Sequence, residues 1–207
     1  SVPARLGFQG GDQVTADQVV GAPLERLTLN GTALSAGQMR LFGGGSLAAN
    51  FAIRDEMAPR LQSELDDMAF DLQQRLADPA VDPTLGATGP GLFTDAGTRA
   101  DPAARTGLAG RLALNAAVDP RQGGQLWRLR AGLQAPADGA VGQGAVLAAL
   151  VGALDAPRPA GAGTTFEGNA TLAQRFGTIE SRVAARRVEA EADLSIRSSR
   201  QSTISGS

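Results

Sequence analysis

The 207-residue chain contains no histidine, no cysteine and no tyrosine, and all 19 of its basic residues are arginine. Without histidine it lacks the commonest general base and metal ligand. Without cysteine it has no thiol nucleophile, no disulfide and no zinc–thiolate site. Without lysine there is no Schiff-base chemistry and no phosphate-loop lysine. These absences argue against an enzyme and leave only Asp, Glu, Arg and Ser to do chemistry. No cofactor and no metal is expected. Aromatic residues are scarce, at 4% against 43% hydrophobic, so Ala and Leu must do most of the packing. The longest apolar run, Ala145 to Leu154, is far short of the ~20 residues a membrane-spanning helix needs. No secretory n-region and h-region opens the chain, which starts at Ser1 and reads as a fragment. The net charge is −2 and no basic stripe alternates with aromatics, so neither nucleic acid nor a membrane is an expected partner.

What is present is helical periodicity in two long stretches. Residues Ser46 to Ala77 open after Gly43-Gly44-Gly45, with Ser46 as a candidate N-cap. Apolar or small residues recur at Leu47, Phe51, Ala58, Leu61, Leu65, Met68, Leu72 and Leu76, in steps of four and three with one polar entry at Arg54. That is a stripe along one side of a helix. Asp78-Pro79 ends it. A second stripe runs from about Asn169 to Ser198 through Leu172, Phe176, Ile179, Val183, Arg186 and Ala190. At 1.5 Å rise per residue each helix would be roughly 45 Å long. Two such helices side by side predict a packing seam of Leu47, Phe51, Leu61, Leu65, Met68, Leu72, Leu76, Leu172, Phe176, Ile179 and Val183.

The rest is looser. Residues 1–42 read as part of a β-rich domain, with a hairpin at Leu27-Thr28-Leu29, Asn30-Gly31, Thr32-Ala33-Leu34. Residues 43–207 read as a helical rod domain with an inserted strand and loop segment at about 78–142. Within it, 78–107 is proline- and glycine-rich, with Leu92-Phe93 as its apolar anchor. Leu108 to Val118 alternates like a strand. Gln125 to Leu133 reads as a short helix with Leu126, Trp127 and Leu129 inward, and Trp127 as a core anchor. Gln143 to Leu154 reads as a short apolar helix. The fold class is therefore α+β, mainly helical: an elongated antiparallel long-helix bundle with a small β-rich segment at one end.

Few motifs suggest a site. Gly43-Gly44-Gly45-Ser46 could cradle an anion at a helix start, but no lysine follows, so a plain turn and cap is favoured. Gly142 and Gly144 are weaker still. Glu64, Asp67 and Asp71 could bind a hard cation or act as acid and base; a solvated helix face is the favoured reading. Arg182, Arg186 and Arg187, interleaved with acids, read as helix-surface or inter-subunit ion pairs.

Gly45-Ser46-Leu47-Ala48-Ala49, then Ile53-Arg54-Asp55-Glu56 and Pro59, then Leu65-Asp66-Asp67-Met68-Ala69, resembles the middle of the flagellar hook-associated protein 1 (FlgK) family. Gly91-Leu92-Phe93 is similar to the end of that family's glycine-rich loop, although the Asn and His that precede it in the family are missing. Leu112, Leu114, Asn115, Asp119 and Pro120 are similar to its next strand, and Leu172 to Gly206 to its penultimate helix. The resemblance covers about residues 25–207 and lacks the family's terminal helices. It implies a non-enzymatic structural component of the bacterial flagellum, an adaptor at the hook–filament junction acting by subunit–subunit packing. Its partners would be copies of itself, the hook protein and the filament-side junction protein, with an export chaperone before secretion. The resemblance places it outside the cell, at the hook–filament junction of the flagellum, after type III export. Three rivals stand beside this: another axial protein (filament-side junction protein, flagellin or hook protein), a generic coiled-coil adaptor, and a carboxylate-based hydrolase.

Overall fold

A computed structural model describes residues 5–9, 26–34, 50 and 53–205. The first described unit is a three-stranded antiparallel sheet of β1 (Leu6–Gln9), β2 (Arg26–Leu29) and β3 (Thr32–Ala33), in that order. Asn30 and Gly31 join β2 to β3 with φ of 52° and 83°. Both residues tolerate positive φ, and this pair is the twist-matched turn for a two-residue hairpin. The hairpin read from Asn30-Gly31 therefore forms.

A π turn, Ile53–Met57, leads into helix α1 (Ala58–Leu76). Two four-residue helices follow, α2 (Leu108–Arg111) and α3 (Arg128–Ala131), then α4 (Ala145–Asp155) and α5 (Leu172–Ser205). Two small antiparallel ladders sit between them: β4 (Phe93–Asp95) with β5 (Leu112–Leu114), and β6 (Arg158–Pro159) with β7 (Asn169–Ala170). The stretch read as one strand, Leu108 to Val118, thus opens as a helical turn and becomes extended at Leu112. The helix read at Gln125 to Leu133 shrinks to one turn, with Leu126 61% exposed and Trp127 half-buried beside Arg128. Trp127 belongs to none of the apolar clusters among the described residues.

The expected elongated pair of matched long helices is not what the chain builds. Helix α1 has 19 residues and α5 has 34, and the cross-helix ion pairs reach only from Glu64 to Asp71 on α1 and from Arg175 to Arg186 on α5. The physical reason is competition for the surface of α1. The turns of residues 78–135 and helix α4 take up most of it. Ala69 packs with Ala100 and Leu108; Leu76 packs with Val146 and Leu150 of α4. A third cluster, Leu85, Val118 and Leu133, lies within the turn-rich segment, and Leu92 borders both it and the Leu76 cluster. Leu92-Phe93 thus does anchor the loop.

Gly91 is what lets that loop close on α1. A Cβ there would run into the Leu76 carbonyl oxygen and the Ala77 backbone. Only a residue without a side chain can pass so near the helix end.

Candidate functional site

The expected apolar seam is placed as follows. Leu47 and Phe51 lie outside the described residues, as does the glycine–serine turn before them. Leu76 and Ile179 are buried, while Leu61, Met68, Leu72 and Leu172 are half-buried. Leu65, Phe176 and Val183 are exposed, Phe176 by 50%. Leu72 and Leu76 are brought together against α4, not against α5.

What lines the contact between α1 and α5 is charge. Glu64, Asp67, Asp71 and Arg75 recur at steps of three, four and four, so they share one helical stripe. All four are buried. This corrects the expectation that Glu64, Asp67 and Asp71 form a solvated face. Asp71 accepts from Arg75 Nε at 2.8 Å, one turn along, and lies 3.4 Å from Arg175 Nε of α5. Two turns further toward the start of α1, Glu64 Oε1 accepts from Arg182 at 3.1 Å and lies 3.6 Å from Arg186. Asp67 accepts the Thr165 amide at 2.7 Å and faces Arg105 at 3.4 Å. Arg187, by contrast, pairs among the described residues with Glu191, on the exposed side of its own helix.

Arg75 does most to gather distant chain. Its guanidinium donates to the carbonyls of Ala153 at 3.0 Å and Ala170 at 2.8 Å, and to that of Ala156. It therefore ties the end of α4 and strand β7 to α1 at one point. Arg175 does likewise for the Arg158 carbonyl at 2.7 Å and stacks 5.2 Å from the Phe166 ring. Both arginine side chains are only 2% exposed. The delocalised, fork-shaped guanidinium suits this, because several donors leave one plane at fixed angles.

A second polar stripe, Asp66 and Gln73, faces the other way. Asp66 takes the amides of Gly107 and Ala109 at 2.7 and 2.8 Å. Gln73 accepts from the Ala100 amide at 2.8 Å. Asp82 does the same for Leu133 at 2.8 Å and for Thr84. Close to Asp82, Gly132 adopts φ 115° and leaves room for a Cβ nowhere near Thr84. Buried turns expose peptide groups that no strand or helix satisfies, and each must find a polar partner. Here those partners are side chains of α1 and of the turns themselves.

Three groups in this region stay unmatched, Arg175 Nε among them, which has Asp71 only as an ion-pair neighbour at 3.4 Å. Glu64 Oε2 and Thr165 Oγ1 are buried without a hydrogen-bond partner, although Arg182 bonds both residues through Glu64 Oε1 and the Thr165 carbonyl. Among the described residues no group of three or more acids is arranged to hold a metal ion, and no helix is long and apolar enough to cross a membrane.

The arrangement is suited to holding backbone in place. Each buried carboxylate of α1 is bonded to an arginine or an amide. The sequence signal that could have revealed this is the 64–67–71–75 spacing. It was legible as a stripe, but charge on a stripe ordinarily means water. Comparison with protein-family models, with curated proteins and with solved structures finds no match to this chain.

Proposed function

We propose that this chain is part of a structural subunit of the bacterial flagellum, an adaptor at the hook–filament junction that works by packing against its neighbours and carries no active site. Its neighbours on this reading are further copies, the hook protein and the filament-side junction protein, reached after type III export. The observation that carries the reading is the use made of the residues behind the family resemblance. Asp66 and Asp67, from the Leu65-Asp66-Asp67-Met68-Ala69 stretch, hold the loops at 105–109 and 165. Gly91 sits against the end of α1, and Asn115 donates to its carbonyl at 2.9 Å. Asp119 caps the turn at Pro120–Gln122. The motif residues thus act as framework, which favours a building block over a hydrolase, whose acids would be held open to a substrate.

The test is made in the source bacterium with the whole gene. An epitope tag on the full-length product, located by immunogold on isolated flagella, should label a single band between hook and filament. Deletion should leave hooks without filaments. Label spread along the hook or the filament would assign the chain to another axial protein. A motile deletion strain with unlabelled flagella would overturn the reading.

A further inference from the structure

Helix α5 is held in two different ways along its length. Its first two turns form a root. Arg175 is buried beneath α1 between Asp71, the Arg158 carbonyl and the Phe166 ring. Ile179, one turn on, is 5% exposed. Beyond that no apolar side chain is buried among the described residues. From Val183 to Ser202 every side chain that is described, other than Arg186, is exposed, including Val188 at 64% and Leu194 at 68%. Among the described residues, what ties this distal part to α1 is one carboxylate, Glu64, shared by Arg182 and Arg186; Arg182 also donates to the Thr165 carbonyl at 3.3 Å.

We propose that Glu64 is an ionic latch, and that α5 beyond Ile179 is an arm able to leave α1 while the root stays seated. The two ends of the latch differ in what release costs. Glu64 is 5% exposed, and Oε2 has no partner even when the arm is docked. A buried, incompletely bonded charge is held by a small margin, because its desolvation offsets most of the attraction. Arg182 and Arg186 keep 38% and 25% of their side-chain surface in water, so on release they recover hydration with little rearrangement. The other charges on this stripe do not substitute for the latch. Asp67 is engaged by Arg105 and the Thr165 amide, and Asp71 by Arg75 and Arg175. Salt weakens half-exposed ion pairs far more than it weakens apolar contact, so ionic strength is the natural control. Docking of the arm is then set by salt, while the root answers to apolar burial. The inference stands on the contacts alone and does not depend on the flagellar assignment.

Hydrogen exchange and trypsin cleavage test it. In Glu64→Gln, which keeps the shape and removes the charge, the amides of 183–196 should exchange about tenfold faster, with faster cleavage after Arg182, Arg186 and Arg187. The amides of 66–76 and 173–179 should be unchanged. Adding salt to the unaltered protein should reproduce the pattern and have little effect on the variant. Arg182→Gln with Arg186→Gln, at half-exposed positions, should match Glu64→Gln in hydrogen exchange and in cleavage after Arg187, the one of the three trypsin sites it keeps, and leaves the test open if Glu64→Gln folds poorly. Ile179→Ala should loosen root and arm together. Equal exchange of the arm in wild type and both latch variants, or a rise in root and arm together on removing the Glu64 charge, would overturn the proposal.

Discussion

Asp66 and Gly107 lie 41 positions apart and are joined by a 2.7 Å hydrogen bond from the Gly107 amide to the buried carboxylate. Gly107 is the N-cap of α2, in the left-handed region at φ 75°, and has no side chain with which to cap its own helix. Asp66 supplies the cap from α1, with its other oxygen on the Ala109 amide. Gln62 steadies it by donating at 3.0 Å. Asp66→Ala would leave two amides without acceptors in a closed site. It should cost about 2–4 kcal/mol, the sum of a lost cap and unmet donors. Asp66→Asn should cost less, since its carbonyl can still serve one amide. Urea unfolding followed by circular dichroism reads both; a loss below about 0.5 kcal/mol for Asp66→Ala would mean water replaces the carboxylate freely.

Arg75 and Asp71 carry the second prediction. Arg75→Lys keeps the charge but offers a point donor in place of a planar fork, so it cannot serve Asp71 and the carbonyls of Ala153 and Ala170 together. The loss should be about 2–4 kcal/mol. Arg75→Met leaves those carbonyls unmet, and Asp71 with Arg175 only. Combining it with Asp71→Asn should cost about 1–3 kcal/mol less than the two changes added, because the pair shares one network. Strict additivity in that cycle would show that the two residues act separately.

How much of this was legible in the sequence follows from what periodicity can report. The Asn30-Gly31 hairpin was readable because its turn chemistry is local. So was the apolar run that became α4. Leu61, Leu65, Met68, Leu72 and Leu76 correctly marked a helix, but not which neighbour would cover it. Leu76 went to α4 because the chain from 145 onward returns across the end of α1. The larger misreading was of charge. Asp67 and Asp71 look like solvent-facing residues until the turns at 98–109 and 158–170 are known to lie on the helix. Those turns carry unpaired peptide groups, and nothing in a local window announces that a carboxylate will be wanted there. Gly91 has the same character. Its role depends on a helix end fifteen residues earlier in the chain.

Gly91 gives the third prediction. Gly91→Ala places a methyl against the Leu76 carbonyl and the Ala77 backbone, which are main-chain atoms and cannot rotate away. The loop must lift, pulling Leu92 from two apolar clusters. A loss of about 1–3 kcal/mol is expected, as for other overpacked sites. Gly86, in the same loop, has open space where its Cβ would go, so Gly86→Ala should change stability by less than about 0.5 kcal/mol. Thermal melts of the two variants, run together, separate crowding from loop entropy. Equal shifts would remove the crowding argument.

Asp119 carries the last prediction, which concerns acid. Its carboxylate accepts from the Arg121 side chain at 3.2 and 3.3 Å, from Gln122 at 3.0 Å and from the Arg121 amide at 3.0 Å. The Arg121 guanidinium first, then Gln122 and the Arg121 amide, hold its pKa down to about 2 from an ordinary 3.8. All these donors favour the charged form, so folding favours loss of the proton. The stabilisation is therefore complete above the unfolded value and is lost as pH falls through the folded one. A comparison of the unaltered protein with Asp119→Asn should show a stability gap that is constant above about pH 5, narrows between about pH 4 and pH 2, and is smallest below. The Asp119 carboxyl carbon, followed by NMR, should titrate near 2. A midpoint near 4 would mean that the Arg121 guanidinium, on a side chain 87% exposed, and the other donors do not hold the carboxylate in solution. The pH window tests that directly, because the guanidinium supplies the largest part of the shift and the amide only the third.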